Sequence, residues 1–427
     1  MSYSVALDIG ASFIKASRVG DDGSLLGEVV RRPAPVGVEL DGPGSRVIPA
    51  NDLLSSVRAV LADVDPGSEA RLLAISNQMH GFVFVDRDLG AAYGPVTWQD
   101  HRGRESVPTV RQSLGEDGVS RLGNELRSGI PLGTLAALRG QLDSVADCVV
   151  ASIGDWVAWS IAGKAGPMHA TNAAAMGLMD VEKGCWDTDA LEAAGLHEGQ
   201  MPEICDEVKV IDGRLAVLTP IGDQQAALLG IGVGPAEISF NVATGAQVTR
   251  VAEPGSKTDV QVRPYFGGKQ LHTVTHIPAG RALNAWLGLL TELAGGAGSL
   301  EEDWELVMER VAQRSGSGLQ FNLALFDSAD GDSGSVTSIL EDDLTVGEFM
   351  GAALDRLAQS LAFHAERVGY GGVDAAVYSG GWLREGRTVG EALSELIPVP
   401  VRRHSETEDT LSGLGKIVAA QRGGGES

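Results

Sequence analysis

Residues 5–19 read VALDIGASFIKASRV, and residues 238–251 read ISFNVATGAQVTRV. Each is an apolar run, a small-residue turn and a second alternating run, the pattern of two strands joined by a tight hairpin. Both close on Arg-Val, at Arg18-Val19 and at Arg250-Val251. Hairpins so matched, more than 230 residues apart, predict two halves of related architecture that face one another. Outward from the first hairpin, Val5–Ile9, Phe13–Val19 and Leu25–Arg31 form a meander, with Gly10-Ala11-Ser12 and Asp21-Asp22-Gly23 at its turns. Leu72–Ser76 and Phe82–Asp86 read as further strands, and helix-like spacing fills much of 104–163.

The second half begins near Ile221, where Gly222-Asp223 is a turn feeding a short apolar helix that runs to Gly230. Thr345 and Glu348 have the spacing of a capping box. Val346, Phe349, Met350, Ala353, Leu357 and Leu361 then line one helical face. Val373–Tyr378 reads as a strand breaking into Ser379-Gly380-Gly381-Trp382. The border between halves falls at 215–221, so the domains expected are 1–217 and 218–427.

A chain of 427 residues with 43% hydrophobic and 21% charged residues has ample core for two or three domains, which excludes wholesale disorder. Lys+Arg 33 against Asp+Glu 57 leaves a formal charge of -24, so nucleic acid and anionic lipid are not expected as partners. A small anion is still compatible, because backbone N–H groups and a divalent cation reverse the field locally. Cys148, Cys185 and Cys205 are too few and too scattered for a disulfide framework or a zinc site, and are expected as free thiols. Asp8 interrupts the first apolar run and no basic segment precedes it, unlike a signal peptide. With no run of about 18 uncharged apolar residues, a cytoplasmic protein is expected.

The chemistry-bearing residues sit at the turns. Asp8 ends a buried strand, where a carboxylate is costly unless it meets a cation or hydrogen bonds. The turn beyond it, with Gly10, Ser12 and Lys15, suits a phosphate and Mg²⁺, although Asp8 capping its own hairpin is the plain alternative. Thr244 and Gly245 offer the same turn in the second half, and Gly380 and Gly381 allow backbone to approach a nucleotide. Asp223 heads a helix, whose N-terminus should favour the ionised form and hold its pKa down. A weak, oriented carboxylate of that kind still serves phosphoryl transfer, where the attacking hydroxyl loses its proton late. A simple N-cap is the alternative. Gln78, Met79 and His80 lie between two strands, and Trp98 and Asp100 follow another apolar step. Amide, imidazole, carboxylate and indole together suit a polyol, with hydrogen bonds to hydroxyls and a flat wall for C–H faces.

In this order, DIGASFIKA, SNQMHGFVFVD, VTWQDHRG, ATNAAAMGLMDVEKGCWD, PIGDQQAALLGIGVG, NVATGAQV and YSGGW resemble the FGGY carbohydrate kinases of the actin-like ATPase superfamily. The resemblance implies an α/β chain of two actin-like, ribonuclease H-like domains, each a mixed sheet flanked by helices, closing over a central cleft. It implies ATP and Mg²⁺ as cofactors and a small sugar as substrate. By the same likeness Asp8 is the metal-associated aspartate, Asp223 the catalytic base beside the metal, Thr244-Gly245 the second phosphate turn and Gly380-Gly381 the adenosine turn. Met79, His80 and Asp100 match the sugar contacts of ketose kinases such as xylulokinase. Glycerol kinases usually carry Arg-Glu where this chain has Met79-His80, which argues against glycerol, although GDQQAALLG looks glycerol-kinase-like. TWQD, TNAAAMG and VRPYFGG (262–268) look most like sedoheptulokinase. The expected reaction is therefore ATP-dependent phosphorylation of a terminal hydroxyl of a ketose, sedoheptulose first, with a xylulokinase-type or other polyol kinase as alternative. Ala11, Phe13 and Leu383-Arg384-Glu385 depart from the family pattern. They motivate a rival reading, a non-catalytic sugar sensor on this scaffold; an actin-like ATPase that moves or assembles is a third. A homodimer is compatible with any of them.

Overall fold

A computed structural model of the chain describes residues 3–40, 42–255, 258–292, 299–381, 387–404 and 407–423. The N-terminal apolar run becomes β1 (Ser4–Ile9), buried along its whole length, as a strand covered on both faces must be. It pairs antiparallel with β2 (Phe13–Val19), which pairs antiparallel with β3 (Leu25–Pro33); on its other side β1 pairs parallel with β4 (Leu72–Asn77). The strands β5 (Phe82–Val85), β6 (Ala91–Val96) and β7 (Val149–Ser152) form a small separate sheet. The main sheet is completed by β8 (Val210–Ile211), β9 (Ala216–Leu218) and β10 (Ile221–Gly222), the last two parallel to β4. Side chains alternate across β1. Val5, Leu7 and Ile9 pack on α1 (Ala50–Val64) and α2 (Ile153–Ala162), against buried Leu53, Val57, Trp156 and Trp159. Ala6 and Asp8 therefore point to the opposite face.

The second sheet repeats the plan. The strands β11 (Glu237–Val242), β12 (Gly245–Ala252), β13 (Gln261–Pro264) and β14 (Gln270–Pro278) are joined by β15 (Ala375–Ser379) and β16 (Val401–Arg403), in the order β13-β14-β12-β11-β15-β16. Here β11, β12 and β14 reproduce the antiparallel trio β1-β2-β3, and β15 and β16 add parallel strands as β4 and β9 do. Asp8 lies opposite Lys15 and Ser76; Asn241 lies opposite Gln247 and Ser379. The two hairpins are thus equivalent in register, and the carboxylate belongs to the first alone.

Among the helices, α3 (Ala170–Ala175), α4 (Asp223–Ile231), α5 (Gly280–Thr291), α6 (Val346–Val368), α7 (Arg387–Leu396) and α8 (Asp409–Gly423) position the site. One face of the second sheet packs on α5, α6 and α7 through Phe240, Leu283, Leu357 and Leu393. Its other face meets α4 at Leu228 and Ile231. The same α4 turns Ala226 toward Ala6, Ala74 and Leu218 of the first sheet, beside Leu411 and Leu414 of α8. A helix apolar on all sides is one covered on all sides, and α4 is held between the two sheets. It meets α8 backbone to backbone: a Cβ on Gly230 would run into the Asp409 carbonyl, and one on Gly413 into that of Ala226.

Three expectations change in detail. The first sheet runs on to Gly222, and α8 returns from the end of the chain to pack on it, so neither feature respects a line at 217/218. The strand expected from Val373 starts at Ala375. Thr345 Oγ1 caps the Glu348 N–H at 3.2 Å, but the Glu348 carboxylate accepts from Ser315 and Gly316 instead of closing a box. Trp382 and Leu383-Arg384-Glu385 lie outside the described residues.

Candidate active site

The buried face of the first sheet delivers Asp8 toward α4 and α8, and α4 begins at Asp223. Register sets their separation. Asp8 and Ile221 both stand opposite Ser76, on either side of β4, so β1 and β10 are two strand spacings apart, about 10 Å. Asp223 follows two residues on. Asp223 senses Asp8: burial first, and then the charge of Asp8, push the Asp223 carboxyl up to about 7. Burial likewise pushes Asp8 up to about 6, against the hydrogen bond from Ser76 Oγ (2.9 Å) and the charge of Lys15. The expectation that the helix N-terminus holds the Asp223 pKa down is therefore corrected. One N–H bond, from Gln224 at 2.8 Å, does not offset desolvation beside a like charge.

The turn that carries Asp223 is held from behind. His169 Nε2 lies 3.1 Å from the Asp206 carbonyl, which can only accept, so Nε2 carries the proton. Burial keeps this imidazole neutral, its pKa down at about 4, so Nδ1 is an acceptor and takes the Thr171 hydroxyl at 3.0 Å. Thr171 Oγ1 in turn accepts the Gly222 N–H at 3.1 Å. Asn172 Nδ2 donates to the Pro220 carbonyl at 3.1 Å and to Asn77 Oδ1 at 3.0 Å. Every bond in this chain has one allowed direction, and together they fix Pro220 to Gly222, on which Asp223 stands.

Next to Asp223 lies a charged cluster built from both halves. Arg263, on β13, donates to Glu125 through Nε (3.0 Å) and Nη2 (2.5 Å), and through Nη1 to Gln224 Oε1 (2.6 Å). Its Nη1 also lies 3.5 Å from Met79 Sδ, and its Nη2 3.5 Å from His80 Nε2. Burial disfavours the Glu125 carboxylate, but Arg263, His80 and Arg127 outweigh it and hold the pKa at about 2. His80 Nδ1 is 2.8 Å from the Ala175 carbonyl and so donates to it; burial depresses its pKa to about 4. His276, across the cleft, is depressed by burial to about 3. Both histidines adopt left-handed backbone, φ 64° and 61°, a costly conformation found where a site fixes side-chain direction. Gln224 Nε2 reaches Gln247 Oε1 at 2.9 Å, tying the Asp223 helix to the strand that follows Thr244-Gly245.

Of the residues expected from sequence, Asp8 and Asp223 lie close enough to interact, and Met79 and His80 meet Arg263 beside Gln224. Gln78 is buried beside β1, its N–H on the Ile9 carbonyl at 2.9 Å. Trp98 packs its backbone on the 127–129 turn: a Cβ on Gly129 would strike the Trp98 carbonyl. Asp100 is corrected. It is fully buried, and its oxygens accept from Arg102 (2.7 Å to Nη2) and from the Arg46 N–H (2.9 Å), which makes it a structural anchor and not a free sugar contact. In the turn expected to meet a phosphate, the Gly10 N–H is spent on the Phe13 carbonyl at 3.1 Å and Lys15 is paired with Glu408 at 3.0 Å; Ser12 is exposed. Thr244 and Gly245 are exposed at the tip between β11 and β12. Gly380, at φ 96°, folds against the Val242 carbonyl, so the turn it shares with Gly381 lies at that same sheet end.

Sequence reading missed Glu125, Arg127, Arg263, Gln224 and His276. The segment GNELRSGIP (123–131) carries two charged residues inside a Gly/Ser/Pro-bearing break between helices, a loop signature that marks candidate site residues. Glu125 and Arg263 also put an Arg–Glu pair against Met79 and His80, so the absence of such a pair from positions 79 and 80 does not empty the pocket of one.

Comparison with known proteins completes the description. The profile of the FGGY family of carbohydrate kinases, N-terminal domain, matches residues 3–230. A glycerol kinase of Saccharopolyspora erythraea is 30% identical over 204 residues, 42% of this chain and 40% of that one. An apulose kinase of Pectobacterium atrosepticum is 28% identical over 271 residues, 57% of this chain and 53% of that one. The chain thus spans about half the length of the curated relatives it matches. The crystal structure of gluconate kinase from Lactobacillus acidophilus superposes with a TM-score of 0.87 at 16% identity, covering 100% of this chain and 91% of that one, a likeness of fold.

Proposed function

Because this chain belongs to the FGGY family of carbohydrate kinases, we propose that it transfers the γ-phosphoryl group of ATP to a terminal hydroxyl of a ketose, sedoheptulose being the first choice. The observation that carries this reading is the proximity of Asp8 and Asp223, two carboxylates from distant stretches that both hold their protons more tightly than usual, the charge of Asp8 adding to the rise at Asp223. Asp223, poised near neutrality, orients the hydroxyl and accepts its proton as the bond to phosphorus forms. Buried Asp8 and half-buried Asp223, both pushed upward, are oxygen donors suited to a hard divalent cation, whose charge would relieve both shifts, so they fit Mg²⁺. When bound, that ion neutralises charge on the transferring phosphoryl oxygens. Thr244-Gly245 and Gly380-Gly381 are assigned to ATP, and Gln78, Met79, His80, Trp98 and Asp223 to the sugar. Asp100 holds the Trp98 segment in place through Arg102. We divide the chain at 217/218 for sites, the base and both second-half turns lying beyond it. A cytoplasmic setting with sugar and ATP as partners suits the acidic charge, and a homodimer is compatible with it.

An ADP-release assay over ketoses and polyols, with Asp223→Asn as the blank, tests the reading. Release that depends on a ketose and vanishes in the blank supports it; a response to xylulose and not sedoheptulose overturns the sugar and leaves the reaction. The prior engagement of Gly10 and Lys15 within the protein favours one rival, the non-catalytic sugar sensor. Calorimetry showing ketose binding without ATP binding would establish that rival in place of the kinase.

A further inference from the structure

Arg127 projects from the 123–131 break into the charged cluster. Its Nη1 donates to the Ser128 carbonyl at 3.1 Å. Its Nε and Nη2 are buried, yet neither finds an acceptor among the described residues. Glu125 Oε1 stands 3.7 Å from Nη2, beyond hydrogen-bond reach, and Arg263 already holds both oxygens of Glu125. A buried charged donor without an acceptor is costly, and native structures rarely leave one so. The two orphan donors are not scattered: Nε–H and Nη2–H form one edge of the guanidinium, the fork that grips two neighbouring oxygens at once.

The edge belongs to the same cluster as Arg263 and Glu125, next to Asp223. Asp223 feels the charges of Asp8 and Arg263, whereas Arg127 feels those of Glu125, Arg263 and Asp327. Arg263 is the group common to both, and through Nη1 it is bonded to Gln224, the neighbour of Asp223. Several charged groups that Arg127 senses or that sense it, namely Arg263, His276 and Asp327, belong to the second half of the chain.

Resting on the reading that Asp223 serves a sugar hydroxyl, we propose that the Nε/Nη2 edge of Arg127 receives the opposite end of the substrate, and that it selects a carbonyl oxygen with its neighbouring hydroxyl, the α-hydroxyketone of a ketose. Chemistry decides between the candidates for that end. A guanidinium donates only, so it matches a carbonyl, which accepts only; a polyol hydroxyl there brings a proton of its own that needs a further acceptor, and both Glu125 oxygens are already held by Arg263. A carboxylate would fill the fork as well. Charge speaks against it: Arg127 and Arg263 are already balanced by Glu125 and Asp327, and His80 and His276 are neutral, so a sugar acid would leave an uncompensated buried charge.

The test measures kcat and KM for three compounds of one chain length: a ketose, the polyol made by reducing its carbonyl, and the matching sugar acid. Wild-type enzyme, Arg127→Lys and Arg127→Met are compared after circular dichroism and thermal midpoints have shown both variants to be folded. Wild-type enzyme should prefer the ketose over the polyol by at least tenfold in kcat/KM. In Arg127→Met that preference should fall toward unity, mostly through the KM for ketose, with kcat changed far less. Arg127→Lys keeps the charge without the fork and should fall between. A preference unchanged in Arg127→Met, an equal loss on ketose and polyol, or a wild-type preference for the sugar acid overturns the assignment. Should Arg127→Met fail to fold, Arg127→Lys with an unaltered ketose-to-polyol ratio overturns it on its own. Absence of ADP release by wild-type enzyme with every compound overturns the kinase reading itself, and this inference with it.

Discussion

Asp223 is the residue on which the chemistry turns, and its raised pKa has consequences of opposite sign for activity and for stability. As a base it must be ionised, so turnover should fall as the pH drops through about 7, and a bound cation should move that inflection lower. Asp223→Asn should lower turnover by about 10²–10⁴-fold, the usual contribution of a general base, and leave ketose binding largely intact; initial-rate measurements across pH check both. For stability the folded pKa of about 7 lies above the ordinary 3.8. The unfolded chain then holds fewer protons between those values. The stability from protonated Asp223 is full below about 4 and is lost as pH rises through 7. Asparagine carries no charge to bury, so Asp223→Asn should be more stable than wild-type enzyme at pH 8, on the order of 2 kcal/mol, and nearly equal at pH 4. Thermal melts at the two pH values measure the difference. That Asp223 heads a helix was legible in the sequence. Its pKa was not, because the shift comes from burial and from Asp8, 215 positions away in the chain.

At the scale of single elements, α4 does most to place the site, and the buttress behind its first turn decides how firmly. Thr171→Val removes the acceptor of the Gly222 N–H and the donor to His169 while keeping the shape of the side chain. A buried group left unpaired costs about 1–3 kcal/mol. Turnover should fall with the orientation of Asp223, kcat more than KM, and Thr171→Ser should restore both. A loss of stability with kcat unchanged would deny the buttress its positioning role. The strands of both hairpins were legible because their pattern is local: β2 spans Phe13–Val19 as the alternation predicts, and β1 and β11 differ from expectation by one residue. The buttress was not. ATNAAAM entered the sequence reading only as part of the family likeness, and only the fold brings Thr171 and Asn172 beneath Pro220 and Gly222.

Across the whole molecule, two sheets of one design share α4, and a buried ion pair crosses between them. Arg263 and Glu125 are 138 residues apart in sequence and both are buried, which is why no spacing announced them. Removing one partner strands the other charge, so Arg263→Met or Glu125→Gln alone should cost about 3–5 kcal/mol, and a double change to apolar residues should recover much of that. Denaturant titrations of the single and double variants decide it; additive losses would mean that the two groups do not act as a pair. The central claim is that Asp8 and Asp223 work as one unit in one cleft. The most direct measurement is a double-mutant cycle on kcat with Asp8→Asn, Asp223→Asn and both together, at saturating ATP, Mg²⁺ and ketose. Residues that act as a unit give a double variant hardly slower than the worse single one. Losses that multiply, or an Asp223→Asn enzyme that turns over like wild type, would contradict the account.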